Sequence, residues 1–340
     1  MGKLRVGVFF GGRSAEHEIS IRSAKSIMQS LDKEKYEIIP IKIDRSGKFH
    51  FSKDLSISCV SCVIDENIAK YIDVAFPILH GPYGEDGSIQ GLFKSFGVPF
   101  VGSGVLGSAI AMDKDVAKRL LQEAKILCAK GIVFHSYEFD CINYDRIVSE
   151  LGAVVFVKPA NLGSSVGISK AKSRDEFFAA VKTAFLYDRK IIIEEFIKGR
   201  EIECSVLGMD APQTSILGEI IVKSDFYSYN AKYIQDNAAN LKIPADLPAD
   251  VSDKMKEIAI KAFKILCCDG MARIDFFLRD NREIFLNEVN TIPGFTEEIS
   301  MYPKLWEASG IPYRELLDKL IEMALERYAR DITCPKTHRQ

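Results

Sequence analysis

Ile284-Phe285-Leu286-Asn287-Glu288-Val289-Asn290-Thr291-Ile292-Pro293-Gly294 is the stretch on which the fold turns. An apolar run ends in a carboxylate, and an amide follows two residues later. Side chains alternate along an extended strand, so Glu288 and Asn290 share a face. A second acidic strand, Arg273-Ile274-Asp275-Phe276-Phe277, lies just upstream and can pair with it as a hairpin. Asp275, Glu288 and Asn290 then form an oxygen-rich cluster suited to hard divalent cations such as Mg2+. Carboxylates at the end of a hydrophobic strand need a partner, and a metal bridging nucleotide phosphates is one. Taken alone, the segment also reads as an exposed hairpin with scattered polar residues.

Two further segments upstream carry chemistry. In Val155-Phe156-Val157-Lys158-Pro159-Ala160-Asn161-Leu162-Gly163-Ser164-Ser165-Val166-Gly167-Ile168, a buried strand delivers one lysine into a small, glycine- and serine-rich loop. Such a loop can fold over phosphates, its backbone N–H groups donating while Lys158 supplies a point charge. It is neither a Walker A loop nor a dinucleotide fingerprint, and a plain hairpin turn has the same composition. In Ile191-Ile192-Ile193-Glu194-Glu195-Phe196-Ile197-Lys198-Gly199-Arg200-Glu201, a strand runs into two acids. Strand-end carboxylates and exposed backbone can meet a purine amino group and a ribose; a solvated charged turn is the alternative.

The remaining chain alternates elements. Leu4 to Phe10 reads as a buried strand and Gly11 to Ser14 as a turn. Ser14 to Leu31 reads as a helix with Ile19, Ala24, Ile27, Met28 and Leu31 as core positions. Strands Tyr36 to Ile43 and Ile72 to Leu79 follow, the latter ending in His80-Gly81-Pro82-Tyr83-Gly84-Glu85-Asp86-Gly87. This repetition predicts an open parallel sheet with Glu16 and His80 at one rim. A charged helix from Asp113 to Ala124 opens a smaller α+β region. From Arg200 onward strands alternate with a polar excursion, Asp225 to Ile243, long enough to be a lid. The expected division is 1–112, 113–199 and 200–340, with the mobile loop 225–243 in the last part.

Bulk properties exclude several classes. A chain of 340 residues is too long for one small core. A formal net charge of −2 gives no global basic field for nucleic acid or anionic lipid. No apolar run reaches membrane-span length, and the first strand is too short for a signal peptide, so a cytoplasmic protein is expected. Cys59 and Cys62 have metal-knuckle spacing without a second pair, and Cys267-Cys268 falls in an apolar helical pattern. Reduced thiols are expected.

In this order the segments resemble the ATP-grasp superfamily, and within it the D-alanine–D-alanine ligases. Gly11 through Ser20 resembles that family's first signature and His80 through Gly91 its second. Lys158-Pro159 through Gly167, Arg273-Ile274-Asp275, and Asn287 through Gly294 resemble the rest, so the resemblance runs from Val6 to about Tyr328. It implies an α/β and α+β fold of three domains, with the nucleotide held between the two later ones. It also implies ATP-dependent joining of two D-alanines through a D-alanyl phosphate, for peptidoglycan precursors, and a homodimer. By resemblance, Asp275, Glu288 and Asn290 hold two Mg2+ (or Mn2+). Lys114, Lys158, Ser164, Ser165, Lys232 and Asn287 belong to the ATP site. Glu194, Glu195 and Ile197 meet the adenine and Glu201 the ribose. Glu16 pairs with the first D-alanine's ammonium beside His80, and Ser164 and Tyr233 link Glu16 to the closed loop. Arg273 and the Gly294 N–H serve the oxyanion, and Ser300 binds the second D-alanine's carboxylate. Ser300 stands one residue further from Gly294 than the family's usual spacing.

Lys232-Tyr233 resembles the dipeptide-forming members rather than those making a D-Ala–D-lactate ester. Competing readings are a ligase with another acceptor, such as D-serine, and a catalytically silent ATP-binding relative. A nicotinamide oxidoreductase lacks its glycine fingerprint here.

Overall fold

Three sheets, completed one after another along the chain, meet around a common seam. The computed structural model describes residues 2–51, 60–62, 66–222 and 239–333. The first sheet contains β1 (Leu4–Gly11), β2 (Tyr36–Ile43), β3 (Phe49–Phe51), β4 (Val60–Cys62) and β5 (Val74–Pro77), in spatial order β4-β3-β2-β1-β5. Helix α1 (His17–Ser30) crosses from β1 to β2, and β1 is parallel to both β2 and β5. The anticipated strands are thus parallel, and beyond β2 the sheet adds two unanticipated antiparallel strands, β3 and β4. The cause is local. The turn after β2 is closed by Asp44, whose backbone N–H donates to Lys48 and whose carboxylate accepts from the Ser46 and Lys48 N–H groups. So short a connection joins only antiparallel neighbours.

Helices α2 (Ser88–Ser95), α3 (Val105–Met112) and α4 (Lys114–Glu123) lead to the central sheet. Its strands are β6 (Gly131–His135), β7 (Val155–Pro159), β8 (Ser169–Ala171) and β9 (Lys190–Glu195), ordered β6-β9-β7-β8. Helices α5 (Tyr144–Leu151) and α6 (Arg174–Phe185) cover it around Ile147, Val157, Phe177 and Ile193. The third sheet comprises β10 (Arg200–Gly208), β11 (Gln213–Val222), β12 (Ala239–Lys242), β13 (Gly270–Arg279) and β14 (Glu283–Asn290), ordered β12-β11-β10-β13-β14. Its apolar face carries Ile202, Cys204, Ile274, Phe276 and Leu286 against Met255, Ala259 and Phe263 of α7 (Ala249–Ile265). Ala117 and Leu121 of α4 lie in this core, not under the central sheet.

The predicted hairpin is present, and β13 pairs antiparallel with β14. It holds one irregularity: Asp275 faces Glu288, but Phe276 faces Leu286, so Asn287 is an extra residue on β14. Such a bulge shifts the alternation by one. Leu286 and Val289 stay in the core while Asn287 and Glu288 both reach the opposite face.

Helices α8 (Met301–Ala308) and α9 (Tyr313–Thr333) close the chain. They return to the first sheet: Tyr302, Trp306, Leu316, Leu317 and Leu320 pack with Val6, Val8, Phe10 and Phe76. Phe263 is fully buried at the centre of the third sheet's core. Phe263→Ala is expected to remove about 3–5 kcal/mol of stability, read as a lower urea midpoint at unchanged slope; a midpoint within error of the parent would contradict that packing.

Candidate active site

On the face of the third sheet opposite its core, neighbouring strands set acids side by side. Glu203 of β10 pairs in register with Asp275, and Asp275 with Glu288. Arg273 lies two residues before Asp275 and therefore on the same face. Its Nε and Nη2 donate to Asp275 at 2.7 and 2.8 Å, and Nε lies 3.0 Å from Glu203. Burial disfavours the guanidinium charge, but Asp275 and Glu203 outweigh it and raise its pKa further. Asn290, opposite Arg273, donates from Nδ2 to Asp275 at 3.0 Å. Lys114, from the first turn of α4, stands 3.8 Å from Glu288.

Asp275, Glu288 and Asn290 thus converge, as expected from strand alternation. Among the described residues no three His, Cys, Asp or Glu side chains gather as a self-sufficient metal site. Two carboxylates and an amide fit Mg2+, which takes one or two protein carboxylates and completes its shell with phosphate oxygens and water.

Between the central and third sheets lies a cleft of about 370 Å³ lined by Lys158, Ser165, Glu194, Glu195, Ile197, Glu201, Asn287 and Glu288, among others. Of the described residues expected to meet nucleotide, Lys114 and Ser164 do not line this cleft: Lys114 donates to the Leu162 carbonyl at its edge and Ser164 lines a neighbouring pocket. Lys158 holds Glu194 at 2.7 Å, and the buried Lys118, one helical turn after Lys114, ion-pairs with the other Glu194 oxygen. Burial pushes the Glu194 carboxyl up, but the two ammonium groups prevail and bring it down to about 2. Glu195 accepts from the Lys130 N–H at 2.7 Å. The loop after β7 adopts left-handed backbone at Ser164 (φ 51°) and Ser165 (φ 60°), a conformation that side-chain-bearing residues take at a cost.

Beside this cleft is a small pocket of about 40 Å³, lined by Glu16, His80, Glu85, Gly163, Ser164, Arg273, Glu288, Asn290 and Gly294 with three apolar neighbours. The Ser164 hydroxyl donates to Glu16, joining the central sheet's loop to the first sheet's rim. His80 Nδ1 lies 2.9 Å from the Ile292 carbonyl and Nε2 lies 3.3 Å from Ser23 Oγ. The carbonyl can only accept, so Nδ1 carries the proton. Burial lowers the His80 pKa to about 4, keeping the ring neutral. Glu85 accepts from the N–H groups of Gly81 (2.6 Å) and Ile292 (3.2 Å). Burial first, and Glu16 second, push its carboxyl up to about 8. Gly84 keeps this loop tight: a Cβ there would stand 2.0 Å from the Leu79 carbonyl oxygen.

Ser300 stands at the N-terminal boundary of α8 without a side-chain cap; its hydroxyl instead accepts from the Thr296 N–H at 2.9 Å. A Cβ built on Gly294 would lie 3.0 Å from Ser300 Oγ, so the two residues adjoin despite the longer spacing between them. Lys232 and Tyr233, and most of the expected lid 225–243, lie outside the described residues, as does Cys59. Cys268 is buried as expected, but Cys267 is exposed because it follows the end of α7 at left-handed backbone (φ 54°). Ile19, expected in the core, instead lines the small pocket. Glu203, Glu85 and Lys118 were not anticipated as site residues. The alternation of Glu201 and Glu203, and the spacing of Lys118 from Lys114, were the available signals.

The family described as D-ala D-ala ligase N-terminus matches residues 5–61 and 52–103, and that described as D-ala D-ala ligase C-terminus matches residues 98–322. A D-alanine–D-alanine ligase from Shouchella clausii (strain KSM-K16) is 48% identical, covering 97% of each chain. The D-alanine-D-alanine ligase structure from Coxiella burnetii superposes with a TM-score of 0.89 at 38% identity, covering 99% of each chain. The VanG D-Ala:D-Ser ligase from Enterococcus faecalis gives 0.85 at 35% identity, over 95% of this chain and 100% of that one. The fold and its cleft are those of an ATP-grasp enzyme, and the chain belongs to the D-alanine–D-alanine ligase family.

His80 is fully buried and neutral, with a folded pKa near 4 against 6.5 unfolded. Its contribution to stability is therefore complete above pH 6.5 and is lost as pH falls from 6.5 towards 4, by roughly 3 kcal/mol at most. His80→Asn, which keeps a donor for Ile292, should flatten the loss of urea midpoint between pH 7 and 5. An identical pH slope in both proteins would refute the assignment.

Proposed function

We propose that the junction of the three sheets is where this chain joins two D-alanines, using ATP, to make D-alanyl-D-alanine for peptidoglycan precursors. The observation that carries this placement is that Glu288 and Gly163 line both the cleft and the small pocket. A phosphate in the cleft and a carboxylate in the pocket would meet at that boundary. The ligases of this family use ATP with Mg2+.

The carboxylate of the first D-alanine attacks the γ-phosphorus, ADP departs, and D-alanyl phosphate forms. The amine of the second D-alanine, having lost a proton, attacks the carbonyl carbon; phosphate leaves with the bonding electrons and a peptide bond remains. Asp275, Glu288 and Asn290 would hold the cations. Bound there, Mg2+ would offset charge as two anions approach. Lys114 and Lys158 approach the phosphates, Ser165 and Asn287 adjoin them, and Glu194, Glu195, Ile197 and Glu201 border the adenosine. Glu16 receives the first ammonium, supported by its burial and its bond from Ser164. Neutral His80 adds no opposing charge. Arg273 and the Gly294 N–H would serve the oxyanion of the second step, and Ser300, beside Gly294, would take the second carboxylate.

The same reading assigns 1–112 to substrate binding and 113–199 and 200–340 to the two halves of the nucleotide site, with 225–243 as lid. It takes the working form to be a cytoplasmic homodimer. Among the described residues no helix is long and apolar enough to cross a membrane.

Glu288→Gln is expected to cut D-alanine-dependent phosphate release by about a thousandfold or more. Near-normal turnover at saturating Mg2+ would sink the metal assignment. The likeness to a D-Ala:D-Ser ligase makes the acceptor the second point to test. With D-alanine, D-serine and D-lactate offered together, chromatography should show D-alanyl-D-alanine as the main product; a predominant ester or mixed dipeptide would overturn the acceptor assignment.

A further inference from the structure

Lys118, Glu194 and Lys158 form a buried triad whose charges do not cancel. The three are 5%, 2% and 8% exposed. Each Glu194 oxygen faces a different ammonium, Lys118 at Oε1 and Lys158 at Oε2. One carboxylate answers two cations, so one positive charge is left over. Its location follows from the lining of the cleft, which includes Lys158 and Glu194 but not Lys118. Lys118 points instead towards the Ala129 carbonyl, 3.5 Å away. Ala129 borders the cleft, but Lys118 behind it does not, whereas Lys158 opens directly onto that space.

A buried carboxylate holds whatever cation is nearest, because an unpaired charge in that setting is costly. With one lysine only, Lys158 and Glu194 would close into a neutral pair and the ammonium would be withheld from the cleft. A second lysine removes that demand. Lys114 and Lys118 are one turn apart on α4 and so share a face of the helix. One turn approaches Glu288, and the next secures Glu194.

We infer that Lys118 is a positioning residue for ATP: by holding Glu194 it releases the Lys158 ammonium to a nucleotide phosphate. The inference rests on the proposed reading of the cleft as the ATP site. It requires that the effect of Lys118 pass through Glu194 and be felt by the phosphates, not by the base.

The test is calorimetric Kd measurement on the full chain, with MgATP and with adenosine as separate probes. Lys118→Met should weaken MgATP by about tenfold and adenosine by less than about twofold, while Lys118→Arg should stay within about twofold of the parent for both. In a Glu194→Gln background, adding Lys118→Met should change the MgATP Kd by less than about twofold, because no carboxylate remains to capture Lys158. If Lys118→Met alone does not fold, Lys118→Gln replaces it in both backgrounds with the same outcomes. An unchanged MgATP Kd in Lys118→Met, an equal loss for MgATP and adenosine, or an undiminished loss in the Glu194→Gln background would each overturn the inference. Lys158→Met separates the two levels. A loss of MgATP affinity there with none in Lys118→Met removes the role of Lys118 alone. No loss in Lys158→Met removes the cleft reading as well.

Discussion

The organisation of this molecule depends on how like charges are held together on one sheet face. Register places Glu203, Asp275 and Glu288 opposite one another on three adjacent strands. Carboxylates so placed are about 5 Å apart and repel. Arg273 makes the arrangement possible, because its planar fork takes two bonds to Asp275 and still reaches Glu203. Lys114 does the same work for Glu288 from another element, which requires α4 to stand where it does. The placement of α4 on the third sheet's core, the bulge at Asn287 and the opening of the cleft towards Glu288 are thereby linked.

Two buried titratable groups on the rim of the small pocket are driven in opposite directions by the same cause. Burial takes the charge from His80 by lowering its pKa, and from Glu85 by raising it to about 8. Both answer to the backbone of Ile292, His80 at its carbonyl and Glu85 at its N–H. The segment after β14 is thus docked to the first sheet's loop by groups that carry no charge near neutral pH. The pocket's electrostatics are left to Glu16, Arg273 and Glu288.

Much of this was legible in the chain. The 2-residue period of β13 and β14 gave the right face, the helical period of α1 did so at every position but Ile19, and order along the chain supplied the class. What escaped depends on partners distant in sequence. The bulge at Asn287 leaves no local mark, since it is defined only by the strand opposite. Lys118 was visible as the residue one turn beyond Lys114, but its destination lies on β9. Glu85 sits in a quoted motif, yet its role appears only when Ile292 arrives from more than two hundred residues away. Helix α3 was unseen because Val105–Met112 is almost wholly apolar and so has no polar face to reveal its period.

The return of α8 and α9 to the first sheet bears on biosynthesis. Strand β1, made long before those helices, buries Val6, Val8 and Phe10 against side chains from Tyr302 to Ala324. During translation that surface waits until the helices some three hundred residues further along have left the ribosome. The opening segment would thus emerge with an unsatisfied greasy face, a state prone to clumping and to chaperone capture. Final consolidation of the N-terminal body is therefore a late event, timed by release of the C-terminal helices rather than by its own synthesis.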